Sequence, residues 1–179
     1  MLKLIDTLEP QKIYIESDYC IPVKVRFEPW NDSTEPCLCS SILSNDKKSL
    51  FEIGIGEKPG KLKYITLVTC KAFHIGVSPQ KTKKSVPRFS GLSVFETKKW
   101  SPGDYYTREI FDFDVYLNKP NISIILFSRE IEKIFYNERV FFGFDKDDIL
   151  CSIEVKNMPE DEWAFLEESL GLRPYPVIP

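Results

Sequence analysis

Residues 20–30, CIPVKVRFEPW, alternate without a break: Ile21, Val23, Val25 and Phe27 fall on one side of an extended chain, Pro22, Lys24, Arg26 and Glu28 on the other. A side-chain period of two does not suit a helix, whose apolar positions recur every three to four residues. It requires a strand that buries one face and wets the other. Pro22 has no ladder donor, so it belongs at the first residue of that strand or on a sheet edge. KIYIES before this run and LFEIGIG after it repeat the period, with turn-rich NDSTEP and SNDKKS as connections. LKYITLVTCKAF and NISIILFS are apolar on both faces, as central strands are, although the first also reads as a buried helix. EIFDFDVYL alternates again, with Phe111, Phe113, Val115 and Leu117 inward and Asp112 and Asp114 outward.

Two segments read as helices. In SREIEKIFYNER, Ile131, Ile134 and Phe135 recur at i, i+3 and i+4, with acids early and Arg139 late, matching the helix dipole. In PEDEWAFLEESLG, Pro159 suits the first helical position, three acids fill the first turn, Trp163, Leu166 and Leu170 share a face, and Gly171 suits the C-terminal cap. The expected fold is one α+β domain over residues 1–179. It has a curved, predominantly antiparallel sheet of six to nine strands and a few packed helices, one of them near 159–170. At 179 residues and 42% hydrophobic composition the chain has the means for an unstapled core. The absence of a long apolar run, and the early Asp6 and Glu9-Pro10, lead us to expect no secretory leader, no membrane span and a cytoplasmic location.

Reactive side chains are scarce. His74 is the only histidine, so multi-histidine metal sites are excluded and any histidine-dependent triad must use it; in AFHIG it reads as a core residue. Cys20, Cys37, Cys39, Cys70 and Cys151 contain no Cys-x-x-Cys pair and read as free thiols. GIGEKPG places Gly54, Gly56 and Gly60 after a strand, but Pro59-Gly60 turns the chain into another strand and not into a phosphate-binding helix. SPQKTKKSVPR, with Lys81, Lys83, Lys84 and Arg88, lacks aromatics to stack bases and reads as a mobile, solvated loop. Asp112 and Asp114 lie two residues apart on one strand face, a spacing paired acid/base catalysts also use; with His74 they define the alternative reading, an enzyme or small-ligand binder with a cavity in the curved sheet. In FFGFDKDDILCSIEV, counting from Asp145, Leu150 takes the place of the sixth-position glycine and Lys156 that of the twelfth-position Glu of a calcium loop. The stretch reads as a hairpin with its aspartates wet at the tip. No catalytic set, cofactor site or metal site is assigned.

Charge divides unevenly. Residues 145–179 hold nine acids against three cations, a net of −6, leaving +3 on the first 144 residues. Such an end repels nucleic acid and attracts a basic protein. The ending FFGFDKDDILCSIEVKNMPEDEWAFLEESLG, a strand, an Asp-rich turn, a second strand and an acid-rich helix, resembles the close of many small bacterial immunity proteins that neutralise polymorphic toxins, including those of contact-dependent growth inhibition systems. The resemblance implies a cytosolic, non-catalytic inhibitor of a cognate toxin domain, frequently a nuclease. A nuclease offers a basic cleft, so an acidic face of Asp145, Asp147, Asp148, Glu154, Glu160, Asp161 and Glu162 is the expected docking surface, with Trp163, Tyr105 and Tyr106 as aromatic anchors. An exposed sheet edge is the second expected means of contact, and neither nucleic acid nor membrane is an expected partner.

Overall fold

The computed structural model describes residues 1–28, 36–83, 85–101 and 103–173. The connection read at 31–36 lies almost wholly outside them, as does Lys84. The described elements are β1 (Leu4–Leu8), β2 (Ile13–Glu16), β3 (Val23–Phe27), β4 (Cys37–Leu43), β5 (Leu50–Gly56), β6 (Leu62–Thr69), β7 (His74–Ile75), β8 (Arg88–Ser90), β9 (Leu92–Phe95), β10 (Tyr106–Ile110), β11 (Asp114–Asn118), β12 (Asn121–Ile125), β13 (Lys133–Asn137), β14 (Val140–Phe144), β15 (Leu150–Val155) and α1 (Glu160–Ser169).

These strands form a six-stranded sheet in the order β10-β4-β5-β6-β3-β2, a seven-stranded sheet in the order β7-β11-β12-β15-β14-β13-β8, and a two-stranded β1-β9 ribbon. Register explains the core. One inward row of the first sheet runs Ile15, Val25, Ile65, Ile53, Ser40 and Thr107, and one of the second runs Val115, Ile124, Ile153, Phe142 and Phe135, ending on exposed Phe89 at the sheet edge. The faces meet through aromatic contacts such as Phe27 with Phe142, whose ring centroids are 6.1 Å apart. Each fully buried Phe, Leu or Ile contributes about 1.5–3 kcal/mol. The ribbon stitches the layers: Val94 bridges Lys61 before β6, and Lys3 bridges Ile149 before β15. Gly60 sits at that seam with φ +94°, and an added Cβ would overlap the Phe95 carbonyl oxygen.

Helix α1 forms as the sequence predicts and inserts Trp163 and Leu166 into the core. It lies where the β11–β12 turn meets the loop after β2, with Lys119 paired to Glu160 and Tyr19 edge-on to Phe165.

Three expectations are corrected. The architecture is mainly β, with fifteen strands and one helix among the described residues, and not an α+β fold of six to nine strands. SREIEKIFYNER is β13 and its approach, because Ile131 and Ile134 cover the outer face of the sheet while Phe135 lies on the inner row, so two-sided burial imitates helical spacing. EIFDFDVYL is not one strand: the chain leaves β10, crosses between sheets at 111–113 and enters β11. Most pairings are antiparallel, with parallel ones at three sheet edges, β10-β4, β11-β7 and β13-β8.

Candidate functional site

The β14–β15 hairpin is present, but its aspartates are not uniformly wet. Asp145 is 4% exposed. Its Oδ1 accepts from the backbone N–H groups of Asp147 and Ile149, both at 2.9 Å, and its Oδ2 accepts from the Arg129 guanidinium at 2.6 Å. Burial pushes the Asp145 carboxyl up; the Arg129 hydrogen bond and the two N–H donors outweigh it and hold the group below its ordinary value of 3.8. Asp145 therefore organises the turn and is not offered to a partner. Asp148, at φ +66°, pairs with Lys133, and Asp147 is exposed.

The other acids are similarly committed. Glu154 pairs with Lys156 at 3.2 Å, Glu160 with Lys119 at 2.7 Å, and Glu167 with Arg173. Glu162 is half-buried; burial raises its pKa, the nearby polar groups of Ser17 pull it back, and the charges of Asp161 and Glu16 raise it further. Of the seven acids proposed for docking, Asp147 and Asp161 are the exposed ones without an ion pair among the described residues. The −6 of the sequence is thus spread in space and partly neutralised. Trp163 is 2% exposed and its indole N–H donates to Glu167 at 2.9 Å, which removes it from the surface as an anchor.

Tyr105 and Tyr106 have the opposite fate. Among the described residues β10 pairs on one side alone, with β4. Cys39 N–H donates to the Tyr105 carbonyl and Phe111 N–H to that of Leu43, so odd-numbered residues face β4. The alternation of a strand turns the backbone groups of Tyr106, Arg108 and Ile110 outward, where no other strand pairs with them among the described residues. Tyr105, Tyr106 and Ile110 are 50%, 46% and 57% exposed, and the Arg108 guanidinium lies 5.5 Å from the Tyr106 ring centroid. An unpaired backbone edge and aromatic side chains coincide here.

His74 is not a core residue: it is exposed in β7, stacked on Tyr116 at 4.7 Å, with Nε2 3.5 Å from Asp114 Oδ1. Asp112 instead accepts from the backbone N–H and side-chain amide of Asn45 at 2.9 and 2.8 Å, fixing the crossover to the β4–β5 turn. The two aspartates therefore share no strand face. Asp114 lines a surface pocket of about 260 Å³ with Tyr116 and Lys81, whereas between the sheets Leu2, Ile42, Ile53 and Leu126 leave a gap of about 10 Å³, at the limit for one water. Burial raises the Cys39, Cys70 and Cys151 thiols to about 11, and no group of three potential metal ligands occurs among the described residues.

The 76–87 segment was not legible as structure. It joins β7 and β8 at opposite edges of the seven-stranded sheet, so it must cross about 29 Å of sheet, within the reach of twelve extended residues. It does so as a strap over the outer face, tied by Lys83 N–H to the Ile131 carbonyl, Ile131 N–H to that of Lys81, and the Gln80 amide to that of Arg129. The expected solvated loop is a bonded element, and its basic residues are partly spent: Lys83 pairs with Glu132. The sequence matches no known protein family, and no curated protein matches it. No helix among the described residues is long and apolar enough to cross a membrane.

Proposed function

We propose that the protein is a cytoplasmic, non-catalytic immunity protein that binds a cognate toxin domain and neutralises it by occupying its surface. The observation that carries this reading is the open β10 edge, where outward backbone groups of Tyr106, Arg108 and Ile110 coincide with exposed Tyr105, Tyr106 and Ile110. Strand addition at such an edge supplies main-chain hydrogen bonds, and flanking aromatics supply most of the binding energy at protein interfaces. The exposed Asp147 and Asp161 add long-range steering toward a basic partner, a contribution to association rate more than to affinity.

The reading expects a toxin-domain gene directly upstream in the parent genome, and the test is co-expression with that domain. The wild-type chain restores growth. Arg108→Pro removes an outward N–H, which an edge strand tolerates, and blocks an incoming strand, so the variant keeps its thermal stability and loses rescue. No rescue by the wild type overturns the immunity reading; full rescue by a folded Arg108→Pro protein overturns the edge as the docking element.

A further inference from the structure

Beneath the strap, the outer face of the seven-stranded sheet holds a cleft of about 190 Å³. Its floor includes Asn118, Asn121, Ser123 and Ser152, and the strap contributes Ser78 and Thr82, so hydroxyls and amides that both donate and accept surround the space. Glu154 also lines it, balanced by the Lys156 ammonium at 3.2 Å, and no Lys or Arg lines it among the described residues. A phosphate or carboxylate would meet no unpaired cation there among the described residues. Phe141 is its one aromatic, and the Lys156 ammonium stands 4.5 Å from that ring's centroid, so a nucleobase would have no pair of rings to enter between.

Ile125, Ile131 and Ile134 interrupt the polar lining, giving the alternation of apolar and hydroxyl surface that a pyranose presents in return. Gly143 keeps this space open: an added Cβ would overlap Ser152 Oγ and stand 2.9 Å from Ile131. Gln80, in the strap, closes one side of the cleft and is held there by its amide donating to the Arg129 carbonyl. The volume accommodates about six waters, the scale of one sugar ring.

We propose that this cleft binds one neutral, monosaccharide-sized polyol through its amides and hydroxyls. The site is separate from the β10 edge and does not depend on the immunity reading. Nitrogen-15-labelled protein is titrated with methyl α-glucoside, methyl β-galactoside and N-acetylglucosamine to about 50 mM, with inorganic phosphate and adenosine as controls, a range that captures a Kd of about 1 mM. At least one sugar produces saturable shifts in the side-chain amides of Asn118, Asn121 and Gln80 and the backbone amides of Ser123 and Ser152. Ser123→Phe, which places a ring in the cleft, abolishes them, and Ser152→Ala weakens binding by about threefold or more. Absence of saturable shifts with every sugar, responses unchanged in both variants, or a response confined to phosphate or adenosine overturns the proposal. If Ser123→Phe does not fold, Ser152→Ala decides.

Discussion

Replacing Asp145 tests whether one carboxylate holds the β14–β15 turn. Asp145→Ala removes the acceptor for two backbone N–H groups, a loss of about 1 kcal/mol by analogy with helix N-caps, and a charge-assisted hydrogen bond worth about 1.5–3 kcal/mol. The Arg129 side chain is 43% exposed and regains water when its partner goes, which places the second contribution at its lower end. The expected total is about 2.5 kcal/mol, a fall in Tm of about 5–10 °C for a chain of this size. Asp145→Asn keeps one oxygen for the N–H groups and loses the charge, so it costs about half as much. Because the folded carboxyl lies below its unfolded value of 3.8, its contribution is complete above that value and is lost as pH falls through the lower folded one. Urea titrations of the three proteins at pH 7 and at about pH 2 measure this directly, with the wild-type advantage over Asp145→Asn closing in acid. A cost below about 1 kcal/mol for Asp145→Ala, or an Asp145→Asn gap that does not change with pH, refutes the reasoning.

Glu162 carries the opposite sign. Its pKa is raised, so its ionisation opposes folding, and Glu162→Gln raises Tm by about 1–2 °C at pH 7 while matching the wild type in acid; a lower Tm at pH 7 contradicts this. The thiols divide by position: exposed Cys20 reacts with Ellman's reagent in the native protein at pH 8, while Cys39, Cys70 and Cys151, each at about 11 and about one part in a thousand thiolate, react only on unfolding. Simultaneous titration of all the thiols in the native state would disprove that division.

Local features were legible and distant ones were not. The 140–155 hairpin and α1 are encoded within their own residues, by a turn sequence between two apolar runs and by an acidic first turn with a helical apolar face. The strand at 133–137 was misread because the strap covers the second face of its sheet, and a strand buried on both sides loses its period of two. EIFDFDVYL alternates across a sheet-to-sheet crossover because Phe111 and Phe113, both within it, pack against the same core as Val115 and Leu117, so the pattern alone does not mark the break. Charge was countable but not locatable: Arg129, Lys119 and Lys133, which neutralise Asp145, Glu160 and Asp148, lie 15 to 41 positions away, and only the fold brings them together. Tyr105 and Tyr106 stayed candidates for the same reason, since their exposure depends on which strand ends the sheet.

The β1–β9 ribbon has a consequence for biogenesis. β1 leaves the ribosome well before its partners at residues 92–95, and Lys3 meets Ile149 later still. Until those residues emerge from the ribosome, Leu2 and Leu4 have nowhere to be buried, and the layers cannot be fastened together. β1 therefore waits with its apolar side unburied until residues 92–95, and then Ile149, have been made.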